Sequence, residues 1–325
     1  MLPQTILAGQ KAGAIEAGSL KRVAVDTTVM EKNIAHPTDA RLYERARAQL
    51  VALAVEAVVE ARQSYARLAP RLAVRVGHYA HVKQFKRMRK ALRTLKGYTG
   101  RVLRDLRRQL PDIPQGPLRE RILDRLVLVS RLLTQEPKGR DKIYALHEPE
   151  VDCISKGKAR VRYEFGCKVS IATTLDEGFV VGMRSFAGNP YDGHMLGAAL
   201  EQVEILTERL PDLVVVDRGY RGHGIDKSQV LISGTRRGLT PALAADLRQR
   251  AAIEPEIGHM KTDGHLARSP LKGVISDALF AVLCGCGHSI HKILEWLRAV
   301  LVCLIAQIIA ARRGDEDRNQ IPVAA

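Results

Sequence analysis

Residues 212–220 read Asp-Leu-Val-Val-Val-Asp-Arg-Gly-Tyr, four apolar, mostly β-branched residues running into Asp217 and a glycine turn. A short apolar run bounded by turn residues is a buried-type strand. A second run of this kind lies far upstream, Arg22-Val-Ala-Val-Asp26-Thr-Thr-Val29, again with an acid after its apolar residues. Taken singly, each acid reads first as a turn-former or salt-bridge partner, but burying a charge is costly unless it is paired or coordinates a metal, and that strengthens both Asp26 and Asp217 as site candidates. Between and beyond them the pattern gives a hairpin, residues 163–173 and 179–186 about the turn Leu175-Asp-Glu-Gly178. A helix follows over about 194–210, then a short strand over Gln229–Ile232, and helical pattern again from Pro241. Strand, hairpin, helix, strand, strand, helix is a mixed α/β layer.

The third acid is on the last of these helices, expected over Ala242 to about Thr262. Arg250 and Glu254 are four residues apart and Lys261 is seven further on, so the three project from nearly one helix face. Pro255 predicts a kink, because proline removes a hydrogen bond and clashes one turn back. Two neighbouring strands and a covering helix bring Asp26, Asp217 and Glu254 to one point. That oxygen-donor set suits hard divalent cations, and two Mg²⁺ ions about 3.5–4 Å apart serve phosphoryl transfer. Glu256 is the rival to Glu254, and for Arg250 and Glu254 alone a surface i,i+4 ion pair is the plainer reading. Asp39 and Asp152 read as structural, His259 and His265 as surface or phosphate-contacting residues, and Trp296 as core.

The chain has 325 residues, with Lys+Arg 51 against Asp+Glu 35 and a net charge of +16, which favours a polyanionic partner. Most of the excess lies in residues 61–110, which hold fifteen Lys/Arg, among them Lys83, Lys86, Arg87, Lys90 and Arg93, against the single acid Asp105. Apolar residues recur there at three- and four-residue steps, giving two amphipathic basic helices with a break at Gly97/Gly100. The helical pattern begins with Thr38 as N-cap and Asp39 in the first turn and is expected to run to about Leu68, where Pro70 stops it. One more helix, marked by Leu118, Ile122, Leu126, Val129 and Leu133, ends near Pro137-Lys138-Gly139. A merely solvated helix mixes charge signs, so this one-sided block points to DNA phosphates, contacted without sequence specificity. Five cysteines without a C-x-x-C pair signal neither a disulfide framework nor zinc, and with no secretory signal the setting is cytoplasmic. Ala299–Ala311 is shorter than the roughly 18 residues of a bilayer span and reads as a buried C-terminal helix. No membrane partner is expected.

Arg250, Glu254 and Lys261 separated by three and six residues, together with AVDTTVMEKNIAHPTDARL and VVVDRGYRG, resemble the bacterial insertion-sequence transposases of the DDE class, in particular the family numbered five. The resemblance runs from about Lys21 to about Arg313. It implies a ribonuclease-H-like catalytic domain, Mg²⁺ (with Mn²⁺ as a substitute), hydrolysis of the element's 3′ ends and their joining to target DNA. It implies Asp26, Asp217 and Glu254 as the metal-binding triad, Arg250 and Lys261 as phosphate contacts, and double-stranded DNA and a homodimer as partners. The expected organisation is a linker remnant over 1–21 and a catalytic domain from 22–37 plus 148–280. A basic helical insertion over 38–147, a C-terminal apolar helix over 281–313 and a polar tail over 314–325 complete it. Leu247 stands where related signatures have Tyr. Only some twenty residues precede the Asp26 strand, where family members carry an end-recognising helical domain, so the chain lacks that domain or the basic insertion serves instead. The rival function is a catalytically inactive, truncated DNA-binding product that competes for element ends. A nuclease that cuts without strand transfer is a third reading.

Overall fold

The computed structural model describes residues 1–16, 18–136, 139, 141–155 and 162–318, the last eight as helix backbone alone. In chain order the main elements are α1 (Leu2–Lys11), β1 (Arg22–Lys32), α2 (Asp39–Glu56), α3 (Leu68–His81), α4 (Phe85–Gln109) and α5 (Pro117–Thr134). There follow β2 (Asp152–Ile154), β3 (Glu164–Thr174), β4 (Val180–Phe186), α6 (Asp192–Thr207), β5 (Leu213–Val216) and β6 (Gln229–Ile232). The chain closes with α7 (Pro241–Gln249), α8 (Ile253–Thr262), β7 (Arg268–Ser269) and α9 (Val274–Arg318). Two compact units result, one of Met1–Glu31 with Cys167–Ala325, the other of Lys32–Gly166.

The first unit is the mixed α/β layer. Its sheet runs β3-β1-β5-β6, with β4 antiparallel to β3, β7 beside β1, and β1, β5 and β6 parallel. Strand alternation divides the side chains between two cores. Val23, Val25, Val214 and Val216 enter the main core with residues of α1, α6 and α9. Ala24, Leu213 and Val215 enter a smaller one with Leu243, Leu247 and Ile253 of the α7–α8 region. Leu247, standing where related signatures have Tyr, is an apolar packing residue of this second core. This α/β class, with its curled mixed sheet, agrees with a ribonuclease-H-like fold.

Residues 1–21 are not a linker. Leu2, Ile6 and Gly9 form one buried face of α1, and Ala14 and Ile15 follow them into the main core. Gly9 permits that turn, since a Cβ there would stand 2.6 Å from Ile15. Trp296 packs on the same core, as expected.

The second unit is the basic helical block, wider than the expected 38–147. Two features account for the extra residues. Lys32 and Glu148 form a buried ion pair at 2.9 Å, and Phe165 packs against the rings of His36 and Tyr144. β2 pairs with the first residues of β3, Cys153 opposite Phe165. Thr38 caps α2 as expected, but α2 stops at Glu56 and Pro70 lies in the first turn of α3, where its missing N–H costs nothing. The break between the basic helices falls at Val82–Gln84, with Lys83 at φ 57°, and α4 runs unbroken through Gly97 and Gly100. Two glycines cost a helix about 2 kcal/mol. The buried stripe Ala91, Leu95, Thr99, Val102, Leu103 and Leu106 outweighs that. The α5 stop expected at Pro137-Lys138-Gly139 falls largely outside the described residues, as do the side chains of the polar tail.

α9 starts seven residues earlier than expected and corrects a second expectation. Its first half is buried through Ala281, Cys284 and Ser289, with Gly285 letting Val180 and Met183 approach closely. Residues 301–310 were expected to be buried and are exposed, because the helix there has run past the surface that covers its first half. By length and composition alone α9 would also suit a bilayer. The five cysteines form no disulfide.

Candidate active site

The parallel register of β1 and β5 places Ala24 opposite Val215 and Val25 opposite Val216. One step further brings Asp26 and Asp217 level on adjacent strands, which are about 4.8 Å apart. Both acids share the parity of Ala24 and Val215, so both face the side covered by α7 and α8. Asp26 Oδ1 accepts a hydrogen bond from the Thr27 backbone N–H at 2.7 Å. Asp217 caps the 3₁₀ turn Arg218–Tyr220, its Oδ1 accepting from Gly219 N–H at 2.8 Å. The glycine turn after the strand therefore has a local purpose, aiming the Asp217 carboxylate.

The helix expected over 242–262 is divided into α7, a 3₁₀ turn over Arg250–Ala252, and α8. The division lies one turn before Pro255, which itself occupies the first turn of α8, where proline is tolerated. The 3₁₀ turn carries Arg250 over Asp26. Its Nη2 donates to Asp26 Oδ2 at 2.9 Å and its Nη1 to Glu254 Oε1 at 3.4 Å. The Arg250 and Asp26 side chains are 12% and 15% exposed, that of Glu254 67%. One guanidinium thus ties the strand acid to the helix acid. Arg250 was expected on DNA phosphate; in this structure its fork is engaged by carboxylates, with Nε buried and without a partner. Lys261 lies two turns along α8, half-buried and engaged by a neighbour.

Glu256 points elsewhere. Its carboxylate receives Lys292 Nζ at 2.6 Å and lies 2.9 Å from His288 Nε2, clamping α8 to α9. Burial by itself would raise the Glu256 carboxyl, but hydrogen bonds from His288 and Lys292, and their charges, hold it below the usual carboxylate range. His259 is exposed beside Asp263 at 3.2 Å.

The site contains an acid that the sequence did not single out. Asp192, at the first position of α6, takes Lys168 Nζ at 3.0 Å and Thr27 Oγ1 at 3.2 Å on its Oδ1. A Cβ placed on Gly219 would stand 3.2 Å from Asp192 Oδ2 and 3.0 Å from Asp217 Oδ1, so the two carboxylates flank this glycine. Tyr220 is fully buried beside them, and its hydroxyl is held well above its ordinary pKa, first by burial and then by Asp26, Asp192 and Asp217. The only sequence signal is an acid after Asn189-Pro190-Tyr191, which reads as an ordinary helix-start residue.

Among the described residues no three acids, histidines or cysteines stand ready at metal-ligand distance. The donor chemistry nevertheless fits a hard divalent cation. Asp26 and Asp217 lie side by side, carboxylate oxygens predominate, and Asp26 already balances one cationic group, the Arg250 guanidinium.

In the basic unit Lys83, Lys86, Arg87, Lys90 and Arg93 are all exposed, the last four on α4, where Lys86, Lys90 and Arg93 lie opposite its buried stripe. Asp105 is buried and held by Arg108 at 2.8 Å and by the Arg62 N–H at 2.7 Å, so it does not offset the charge of that outer face.

Comparison with known proteins bears on this site. Residues 133–230 match the family described as transposase DDE domain, a segment that includes Asp192 and Asp217. An uncharacterised protein, ORF8 of the nfe locus in Rhizobium meliloti, is 51% identical over 85 residues, 26% of this chain. The chain spans 41% of that relative's length. No solved structure matches. Sheet order, the paired acids Asp26 and Asp217 and the matched segment agree with one another: the chain carries a segment similar to the transposase DDE domain.

Proposed function

We propose that this chain catalyses divalent-metal-dependent phosphoryl transfer on DNA, hydrolysing the 3′ ends of an insertion sequence at its terminal inverted repeats and joining them to target DNA. The observation that carries the proposal is the side-by-side placement of Asp26, within β1, and Asp217, just past the end of the parallel strand β5, with Glu254 on the overlying helix, linked through Arg250. Asp26, Asp217 and Glu254 would hold Mg²⁺, two ions in the full site, with Mn²⁺ as a substitute. Bound there, the cation supplies activation of the attacking oxygen and charge stabilisation at the leaving one.

The protein's own groups do the rest. Arg250 neutralises Asp26 and keeps Glu254 within reach, and its planar fork matches a phosphodiester as well as a carboxylate. Asp192 is a positioning residue, holding Thr27 next to Asp26 and the Lys168 ammonium at the edge of the site. The choice of Glu254 over Glu256 is supported by the engagement of Glu256 with α9. Lys83, Lys86, Arg87, Lys90 and Arg93 bind DNA backbone, Lys261 adds a phosphate contact near the site, and a homodimer brings two ends together. The setting is the cytoplasm, on the nucleoid.

The test is incubation of supercoiled plasmid with purified protein and Mg²⁺ at low salt, wild type beside Glu254→Gln. Nicking or joining by the wild type that disappears in the variant is expected. Retarded but uncut DNA with both proteins would overturn the proposal in favour of the inactive DNA-binding product. Nicks without joined products would identify a nuclease.

A further inference from the structure

α9 has two apolar faces. One, through Ala281, Cys284, Ile293 and Trp296, packs on the main core. The other is uncovered: Ile290, Leu294, Leu297, Leu301, Leu304 and Ile308 follow one another in steps of four, three, four, three and four residues and are 45–59% exposed. That is the a/d spacing of a coiled coil, whose 3.5-residue period keeps one seam facing a partner helix. A third face is polar as far as Arg298, with His291 paired to Glu295 at 3.4 Å, and continues with the exposed Val302, Ile305 and Ile309. What sets the seam apart is its unbroken a/d spacing from Ile290 to Ile308.

We infer that this seam binds the same seam of a second copy of the chain, two α9 helices packing side by side. The six seam side chains present on the order of 600 Å² per chain, the lower end of what one partner contributes to an interface of standard size and the upper end of what an ordinary monomer leaves uncovered. A bilayer fits less well. Arg298 and Arg312 bound a charge-free run of residues 299–311, about 20 Å long as a helix, against a hydrocarbon core of about 30 Å. The inference names the surface of the dimer proposed above but rests on α9 alone, and it stands or falls independently of DNA cleavage.

The experiment uses the full chain in detergent-free buffer. Mass is read by sedimentation equilibrium for wild type, Leu301→Glu and Val302→Glu, with flotation on phosphatidylglycerol vesicles in parallel. Leu301 and Val302 are adjacent and equally exposed, 56% and 60%, but only Leu301 is on the seam. Wild type should be dimeric, Leu301→Glu should weaken the dimer at least about a hundredfold, and Val302→Glu should leave it intact. Both sites are exposed, so an unchanged unfolding midpoint excludes misfolding. A monomeric wild type, equal effects of the two substitutions, or a wild type that floats with vesicles and does not dimerise would each overturn the inference.

Discussion

Replacing Arg250 by Met tests how the acidic site is held when no cation is bound. The Arg250–Asp26 pair is 2.9 Å long with both side chains at most 15% exposed, so water screens it little. Unit charges about 4 Å apart attract by about 4 kcal/mol at an effective dielectric constant of 20. Losing one partner of a fully buried pair costs about 3–5 kcal/mol. Residual exposure here reduces that to about 2–3 kcal/mol, and the neighbouring Asp192 and Asp217 carboxylates oppose any further reduction. For a cooperative unit of this size the unfolding midpoint should drop by about 5–10 °C in EDTA. The assay is thermal unfolding by circular dichroism, with EDTA and then with millimolar Mg²⁺. Mg²⁺ should restore more of the midpoint in Arg250→Met than it adds to wild type, because the cation replaces the missing charge. Arg250→Lys, which keeps charge but loses the fork, should fall between. A variant as stable as wild type in EDTA, with no larger response to Mg²⁺, would refute this reasoning.

Asp192→Asn should lower plasmid nicking by about 10–100-fold while gel retardation stays unchanged, the pattern of a positioning residue. If nicking is unaffected, Asp192 serves only α6 and Lys168. Replacing Lys86, Lys90 and Arg93 together by Ala should reduce the slope of log affinity against log salt by nearly three, about 0.9 for each phosphate no longer neutralised; an unchanged slope places the DNA on another face. Glu256, held below the usual carboxylate range by His288 and Lys292, adds stability that is complete above its unfolded pKa of about 4.3 and lost as pH falls through its lower folded value. Unfolding midpoints of wild type and Glu256→Gln should therefore differ above about pH 4.3 and converge below it. A constant difference would show that the clamp acts through packing alone.

The strands are legible in the sequence because Val23–Val25 and Leu213–Val216 are apolar runs with turn residues near their ends and residues 163–173 and 179–186 flank a turn as a hairpin, whereas the sheet order comes from the structure. Asp26 and Asp217 are legible for the same reason, each a charge directly after such a run. Asp192 is not, because its approach to Thr27 joins residues 165 apart in sequence and only tertiary folding creates it. Arg250 is marked by its spacing, but its fork between two acids depends on the 3₁₀ turn over Arg250–Ala252, which spacing does not reveal. α1 escapes notice because ten residues with few large apolar side chains read as a linker until the sheet supplies a surface. In α9 the error runs the other way. Apolar composition cannot separate a helix covered by its own chain from one that presents a seam outward.

The central claim is that the strand acids perform chemistry rather than shape the fold, and Asp217→Ala tests it most directly. With supercoiled plasmid and Mg²⁺, the variant should show no nicking or joining while retaining wild-type gel retardation and a wild-type circular dichroism spectrum. Cleavage that persists in Asp217→Ala, or DNA binding that disappears while the fold is intact, would contradict the assignment.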